Sequence, residues 1–316
     1  MVRKLFRGDG PFQLGTGLAA SVVLMIVAAI GLTLVRGSWL SIQKFGLAFW
    51  RTSTWDPVSG DFGALPFLWG TVYSSFLALM ISTPIALGIA VFLSDLCPDR
   101  LRAPLSFLTE LLAAIPSIVY GLWGIFVLVP LVRKLELLTP SFLRSTPLFK
   151  GPPVGVGMLA TALVLGVMVT PFTASVAREI LRAVPLDQRQ AAYALGATRW
   201  EAIRMALSYG RTGIIGAVML GLGRALGETM AVTMVIGNTP KVALSLFAPQ
   251  YTMAAVIANE FTEADTELYL DALVEIGLVL FLLTIAINIL SRLLIHGVNA
   301  PARAPKASAV VTPAPA

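Results

Sequence analysis

The sequence predicts an all-α membrane protein of about six transmembrane helices, and three observations carry that prediction. Of the 316 residues, 57% are hydrophobic and only 13% are charged. The mean hydropathy is +0.83. Long apolar runs fall near 13–36, 67–95, 104–132, 153–177, 212–237 and 271–296. A soluble domain draws about a quarter of its residues from the charged set to cover its surface, so a water-soluble globule of this size is excluded. Each run is at least as long as the ~20 residues that cross a ~30 Å hydrocarbon core.

The first run follows Arg3, Lys4 and Arg7. It is too long for the apolar region of a signal peptide and lacks a small-residue cleavage site, so it reads as a retained span. This divides the chain into an N-tail over 1–12, a first helix with an extracytoplasmic loop over 13–66, and a transmembrane core over 67–296. A tail over 297–316, rich in Ala and Pro, is expected to be disordered because it cannot bury a core. Six spans put both termini on one side. The basic residues choose that side: the N-tail carries Arg3, Lys4 and Arg7, and the 178–211 stretch carries Arg178, Arg182, Arg189, Arg199, Arg204 and Arg211. By the positive-inside bias both termini are cytoplasmic, although Arg133, Lys134, Arg144 and Lys150 fall on the opposite side. The basic excess follows the topology of the runs, which argues against nucleic acid as a partner. Pro84, Pro116, Pro130 and Pro171 lie inside apolar runs, where they read as kinks whose freed carbonyls neighbouring helices satisfy. Trp50, Trp55 and Trp69 are expected in an interfacial aromatic belt.

Between the fourth and fifth runs lies a polar segment, about 182–211, that can be either a solvated connection or a compact knob of two short helices. Pro185 and Asp187 suit a helix start, and Gly196 suits its left-handed end. Thr198 with Glu201 three residues on forms a capping box for a second helix. Ala191-Ala192 followed by Gly196 resembles the EAA loop of ABC importer permeases, which docks into the ATP-binding subunit. Gln190 stands where that family usually has Glu, and Ala206, Ser208 and Tyr209 replace its usual Ile-x-Leu-Pro ending. By this resemblance Gln190, Ala191, Ala192, Gly196, Trp200 and Glu201 form the ATPase-coupling loop.

The fifth run holds Gly221-Leu-Gly-Arg-Ala-Leu-Gly-Glu-Thr-Met-Ala-Val232. Arg224 falls ~18 Å along it at 1.5 Å per residue, near mid-membrane, and a continuous helix would put Glu228 one turn further on the same face. The pair can be a structural ion pair, with Gly223 and Gly227 admitting a neighbouring helix. It can also line a substrate pathway, because charge at that depth is costly unless paired or hydrated. The planar fork of an arginine fits a tetrahedral oxyanion, and Glu228 would neutralise Arg224 between substrates.

The stretch resembles the permease subunits of bacterial phosphate ABC importers, whose fifth helix carries an Arg-Ala-x-Gly-Glu-Thr signature. Glu110-Leu-Leu-Ala-Ala-Ile-Pro-Ser-Ile-Val-Tyr-Gly-Leu-Trp-Gly124 and Ile257-Ala-Asn-Glu-Phe-Thr-Glu263 resemble them too, and the likeness fits the C type of the two homologous permeases. It implies a type I importer fold in the bacterial inner membrane, with Arg224, Glu228 and Thr229 along the phosphate pathway. It also implies a second permease, two ATP-binding subunits and a periplasmic phosphate-binding protein as partners. The chain has no Gly-x-x-x-x-Gly-Lys-Ser/Thr, so nucleotide binding is expected in another chain, with ATP and magnesium there and no cofactor here. Permeation of sulfate, molybdate or phosphonate is the alternative, and a proton-coupled carrier a more distant one. The 238–271 loop carries Lys241 against Glu260, Glu263, Asp265, Glu267 and Asp271; it is either a merely solvated acidic loop or a mouth that would repel a free anion but suits delivery by a docked protein. With one His and one Cys, the chain offers neither a metal cluster nor a Cys–His nucleophile. His296 reads as an interface residue, and Glu110 and Glu275 are placed where they reach water.

Overall fold

A computed structural model describes residues 9–298, with side chains over 12–295. Arg3, Lys4, Arg7, most of the 297–316 tail and the His296 side chain lie outside the described residues. Among the described residues the chain is helical, with one isolated bridge between Asp56 and Asp61. In chain order the helices are α1 (Asp9–Gly37), α2 (Trp39–Phe45), α3 (Leu65–Val91), α4 (Asp99–Ala114), α5 (Ser117–Trp123), α6 (Val129–Leu138) and α7 (Ser141–Arg144). They continue as α8 (Met158–Arg182), α9 (Leu186–Ala194), α10 (Arg199–Tyr209), α11 (Arg211–Leu226), α12 (Met230–Val235), α13 (Met253–Glu260) and α14 (Glu267–Val298). Five stretches are long and apolar enough to cross a membrane, and six if α10 and α11, bent by 68° relative to each other, are taken as one.

The helix α8 is the axis of the bundle. About 67% of its most apolar window is buried, and it packs against α3, α4, α11 and α12. The helix α1 lies at the other extreme, with its side chains facing outward along most of its length. It touches α14 where Gly31 meets Phe281 and Gly37 meets Val274. A helix so apolar and so exposed needs lipid or another protein around it.

Two of the expected continuous spans are broken. The 104–132 run is two helices: Ile115 turns extended ahead of Pro116, ending α4, and the crossing is Ser117–Leu138 instead. The ring of a proline clashes with a helical preceding residue, which explains the break. The other prolines have different outcomes. Pro84 and Pro171 run inside α3 and α8, while Pro130 sits in the first turn of α6 after a π-helical turn at Gly124–Leu128. The 212–237 run stops at Leu226 and restarts at Met230 as the short α12. Consecutive close approaches hold α12 in place. A Cβ on Gly121 would lie 2.7 Å from the Met234 sulfur, and one on Gly124 would lie 3.0 Å from Val235. Both glycines belong to the Glu110–Gly124 motif, whose spacing therefore serves the packing of α5 on α12.

At the end of the bundle away from α9 and α10, the Ile257–Glu263 motif is also architectural. Glu260 Oε2 accepts from Trp55 Nε1 at 2.8 Å and from the Tyr269 hydroxyl at 2.7 Å. Asn259 Nδ2 donates to the Tyr251 hydroxyl at 2.9 Å. Trp69 Nε1 donates to Ala243 O. The half-buried indoles of Trp55 and Trp69 thus spend their N–H groups on acceptors within the protein. Asp271 accepts from Leu40 N at the start of α2. Two of the carboxylates in the acidic 238–271 loop thus accept bonds from within the chain, and so have a structural part to play besides their charge. Glu275 is 2% exposed and does not reach water, whereas Glu110 remains exposed beside Arg178.

Candidate functional site

The break after α11 changes the geometry around Arg224. Gly227 ends the helix, so Glu228 is not on the same helical face one turn on. Its Oε1 turns toward Ala231 N at 3.3 Å, serving the start of α12. Thr229 lies in the break, and its carbonyl accepts from Thr233 N and Oγ1. Glycine is a poor helix former, and a Glu that caps the next helix takes over the stop. The expected Arg224–Glu228 ion pair is therefore absent, and no described carboxylate comes within salt-bridge distance of Arg224.

Arg224 is half-buried, with its guanidinium 5.5 Å from the Phe172 ring centroid of α8. The ring face attracts the cation. Its Nε is buried without a hydrogen-bond partner, and the Tyr120 hydroxyl of α5, which donates to Leu112 O, lies within its electrostatic reach. A guanidinium with an unpartnered Nε and no described carboxylate in reach has the chemistry to bind an anion. By contrast Arg178, at the α9 end of α8, is 5% exposed and paired to Glu110 at 2.8 Å and Glu179 at 2.7 Å. That cluster is an ion-paired one: Arg178 Nη1 is also buried without a partner, but its charge, unlike that of Arg224, is balanced by two carboxylates.

Gly223 and Gly227, expected to admit a neighbouring helix, have no described element packed on them. Gly221 does that work within the chain: a Cβ there would lie 2.5 Å from Thr173 Oγ1 and 2.9 Å from Val169. The bare faces of Gly223 and Gly227 remain open beside Arg224.

The second candidate surface is the polar segment between α8 and α11, which folds as the two-helix knob. Gly196 adopts φ +83, and Ala197 N bonds Ala192 O at 3.0 Å, closing α9. Thr198 Oγ1 accepts from Glu201 N at 3.4 Å while Glu201 Oε2 accepts from Thr198 N at 2.7 Å, completing the capping box. Gln190, Ala191, Gly196 and Trp200 are exposed, and Ala192 is half-buried. The sequence reading missed the apolar skin of the knob. Leu195 is 90% exposed, and Leu186, Tyr193 and Trp200 are exposed with it. Large apolar side chains exposed on an otherwise polar projection are of the kind that a docked protein can cover.

The backbone N–H and then the hydroxyl of Thr198 hold the Glu201 carboxyl below its ordinary value of 4.5. A depressed folded pKa contributes stability that is full above the unfolded value and is lost as pH falls through the folded one. Protection of the α10 amides, taken relative to the intrinsic exchange rate at each pH, should therefore fall below about pH 4.5, and the Glu201→Gln variant should lose this pH dependence. Protection in the original chain that does not change across that window would contradict the capping assignment.

The sequence model of the family described as "Binding-protein-dependent transport system inner membrane component" matches residues 83–300. A protein of Mesorhizobium japonicum named phosphate transport system permease protein PstC is 44% identical over 305 residues, covering 95% of this chain and 93% of the relative. A protein of the same name from Haemophilus influenzae is 47% identical over 90% of this chain and 92% of its own length. A probable one from Methanocaldococcus jannaschii is 36% identical over 92% and 94%. Among solved structures, a chain of the MetNI methionine ABC transporter in an inward-facing conformation superposes with a TM-score of 0.55. It does so at 18% identity, over 73% of this chain and 94% of that one, a likeness of fold.

Proposed function

The chain belongs to the family of inner membrane components of binding-protein-dependent transport systems, and from that premise we propose that it lets inorganic phosphate through the membrane as one permease subunit of an ATP-driven importer. The observation that carries this reading is Arg224, a half-buried cation with an unpartnered donor and no described carboxylate to neutralise it. A doubly charged tetrahedral anion satisfies such a guanidinium, and a second homologous permease closing on the open faces of Gly223 and Gly227 would complete the passage. Thr229 and Glu228, on the break beside it, would shape the passage and not compensate the charge. The knob faces the cytoplasm in this reading, as the basic residues around it favour. Its exposed Leu195 and Trp200 engage an ATP-binding subunit, which supplies the nucleotide and magnesium chemistry. A binding protein on the opposite face delivers the anion already desolvated.

Reconstitution of the chain with its second permease, ATP-binding subunits and binding protein in vesicles tests the reading. Labelled phosphate uptake should require ATP and be competed by unlabelled phosphate but not by sulfate. Preferential sulfate or molybdate uptake would move the assignment to another oxyanion, and phosphate uptake without ATP would replace it with a secondary carrier.

A further inference from the structure

The knob is joined covalently to α8 and α11, but its polar attachment is to a third helix. The helix α3 ends in a π-helical turn, Phe92–Leu96, and Asp95 in that turn binds both knob helices at once. Its carboxylate accepts from the guanidinium of Arg189 on α9 and from Ser94 Oγ. Its main-chain carbonyl accepts from Arg199 Nη2 at the start of α10. Arg189 reaches onward with Nη2 to Leu181 O at 2.7 Å, near the end of α8. Four segments of chain therefore meet around one aspartate, and the side chains of Asp95 and Arg189 are only 9% and 19% exposed. Beside this link Ile203 of α10 shares a buried apolar cluster with Val91 and Leu181.

Two features separate the arrangement from an ordinary surface ion pair. Water screens a pair this enclosed far less than an exposed one, and the bonds are charge-assisted. The guanidinium also uses two separate nitrogens, Nη1 to Asp95 and Nη2 to Leu181 O, a planar fork that a lysine lacks. The carbonyl of Asp95 is one that a helix end leaves without an intrahelical partner, so the knob takes up a bond that the π turn exposes. A displacement of α9 and α10 must then either carry the end of α3 with it or break these bonds together.

We propose that Asp95 is a positioning residue for transport: through Arg189 and Arg199 it makes α3 move with the knob, so that nucleotide-driven motion of the knob reaches the core of the bundle by a route other than the chain connections to α8 and α11. This rests on reading the knob as the ATPase-docking surface. The test uses the complete complex in vesicles and reads phosphate transported per ATP hydrolysed, a ratio that a merely structural role leaves unchanged. Asp95→Asn keeps the main-chain bond to Arg199 but removes the charge. Its ratio should fall at least about fivefold, the lower end of a typical coupling free energy, while the complex assembles and hydrolyses ATP. Arg189→Lys should also lower the ratio, because a compact ammonium on its stem lacks the planar fork whose two separate nitrogens reach Asp95 and Leu181 O. An unchanged ratio in Asp95→Asn overturns the proposal. If that variant does not assemble, Arg189→Lys decides: an unchanged ratio overturns the proposal, and a lowered one upholds it. Failure of the unmodified complex to take up phosphate would strike the functional reading itself, and so is distinguishable from both.

Discussion

Replacing Arg224 by Ala is expected to lower phosphate uptake at least about a hundredfold, as the loss of two charge-assisted hydrogen bonds of ~1.5–3 kcal/mol each implies. The same change should leave the assembled complex as stable as before. That second half follows from what surrounds the side chain. No described carboxylate pairs with Arg224, so its removal orphans no opposite charge. Its contacts are the Phe172 ring at 5.5 Å and the neighbourhood of Tyr120. A half-buried cation without a paired carboxylate contributes little to the stability of the empty protein, so truncating it costs little. Arg178 gives the contrast: its loss would leave Glu110 and Glu179 without their shared partner, and damage to folding is expected there. Arg224→Lys keeps the charge but not the fork, and should fall between the original chain and Arg224→Ala. Uptake by reconstituted vesicles together with the melting temperature of the complex reads both halves. Undiminished uptake by Arg224→Ala would sink the assignment of this residue to the pathway.

The features legible in the sequence are those set by local chemistry or by the bilayer. Apolar runs of sufficient length mark the crossings, because a membrane core tolerates few alternatives to a helix. The Thr198–Glu201 box and the Gly196 elbow were readable because all their partners lie within a few residues. The helix breaks were not readable in the same way. Within an unbroken apolar run, periodicity does not say where a helix stops, and the interruption at 227–229 depends on α5 packing against α12 through Gly121 and Gly124. Pro116 carried a usable signal, since the residue before a proline avoids the helical region, but Pro84 and Pro171 stand within helices and show why the signal alone did not decide. The carboxylate of Glu260 was invisible as an internal acceptor because its donors, Trp55 and Tyr269, lie 205 and nine residues away. The same limit applies to Arg224. Its place in the fifth apolar run was legible, whereas its lack of a partner depended on which way Glu228 turned.

Substituting Leu195 by Asp is expected to separate the folding of the chain from its assembly. Leu195 is 90% exposed, lies between the last residue of α9 and Gly196, and contributes its side chain to the apolar skin of the knob. Folding gains almost nothing from a side chain left in water, so the isolated permease should be as stable with Asp as with Leu. An aspartate there would instead have to be desolvated against whatever surface covers the knob. Truncation of a central docking residue costs ~2–4 kcal/mol, and an unpaired buried charge adds to it, so binding of the ATP-binding subunit should weaken by at least about thirtyfold. Trp200→Ala should act in the same direction, because Trp200 is exposed on the neighbouring helix and is the kind of residue that anchors such contacts. Copurification of the ATP-binding subunit, with the permease pair alone as the stability control, measures the two effects apart. Leu195→Asp with full ATPase recruitment would mean that the apolar skin faces lipid or solvent, and the knob would then be a connector and not a docking element. Weakened recruitment with an intact permease pair would place the energetic centre of docking on side chains that neither helix needs for its own folding.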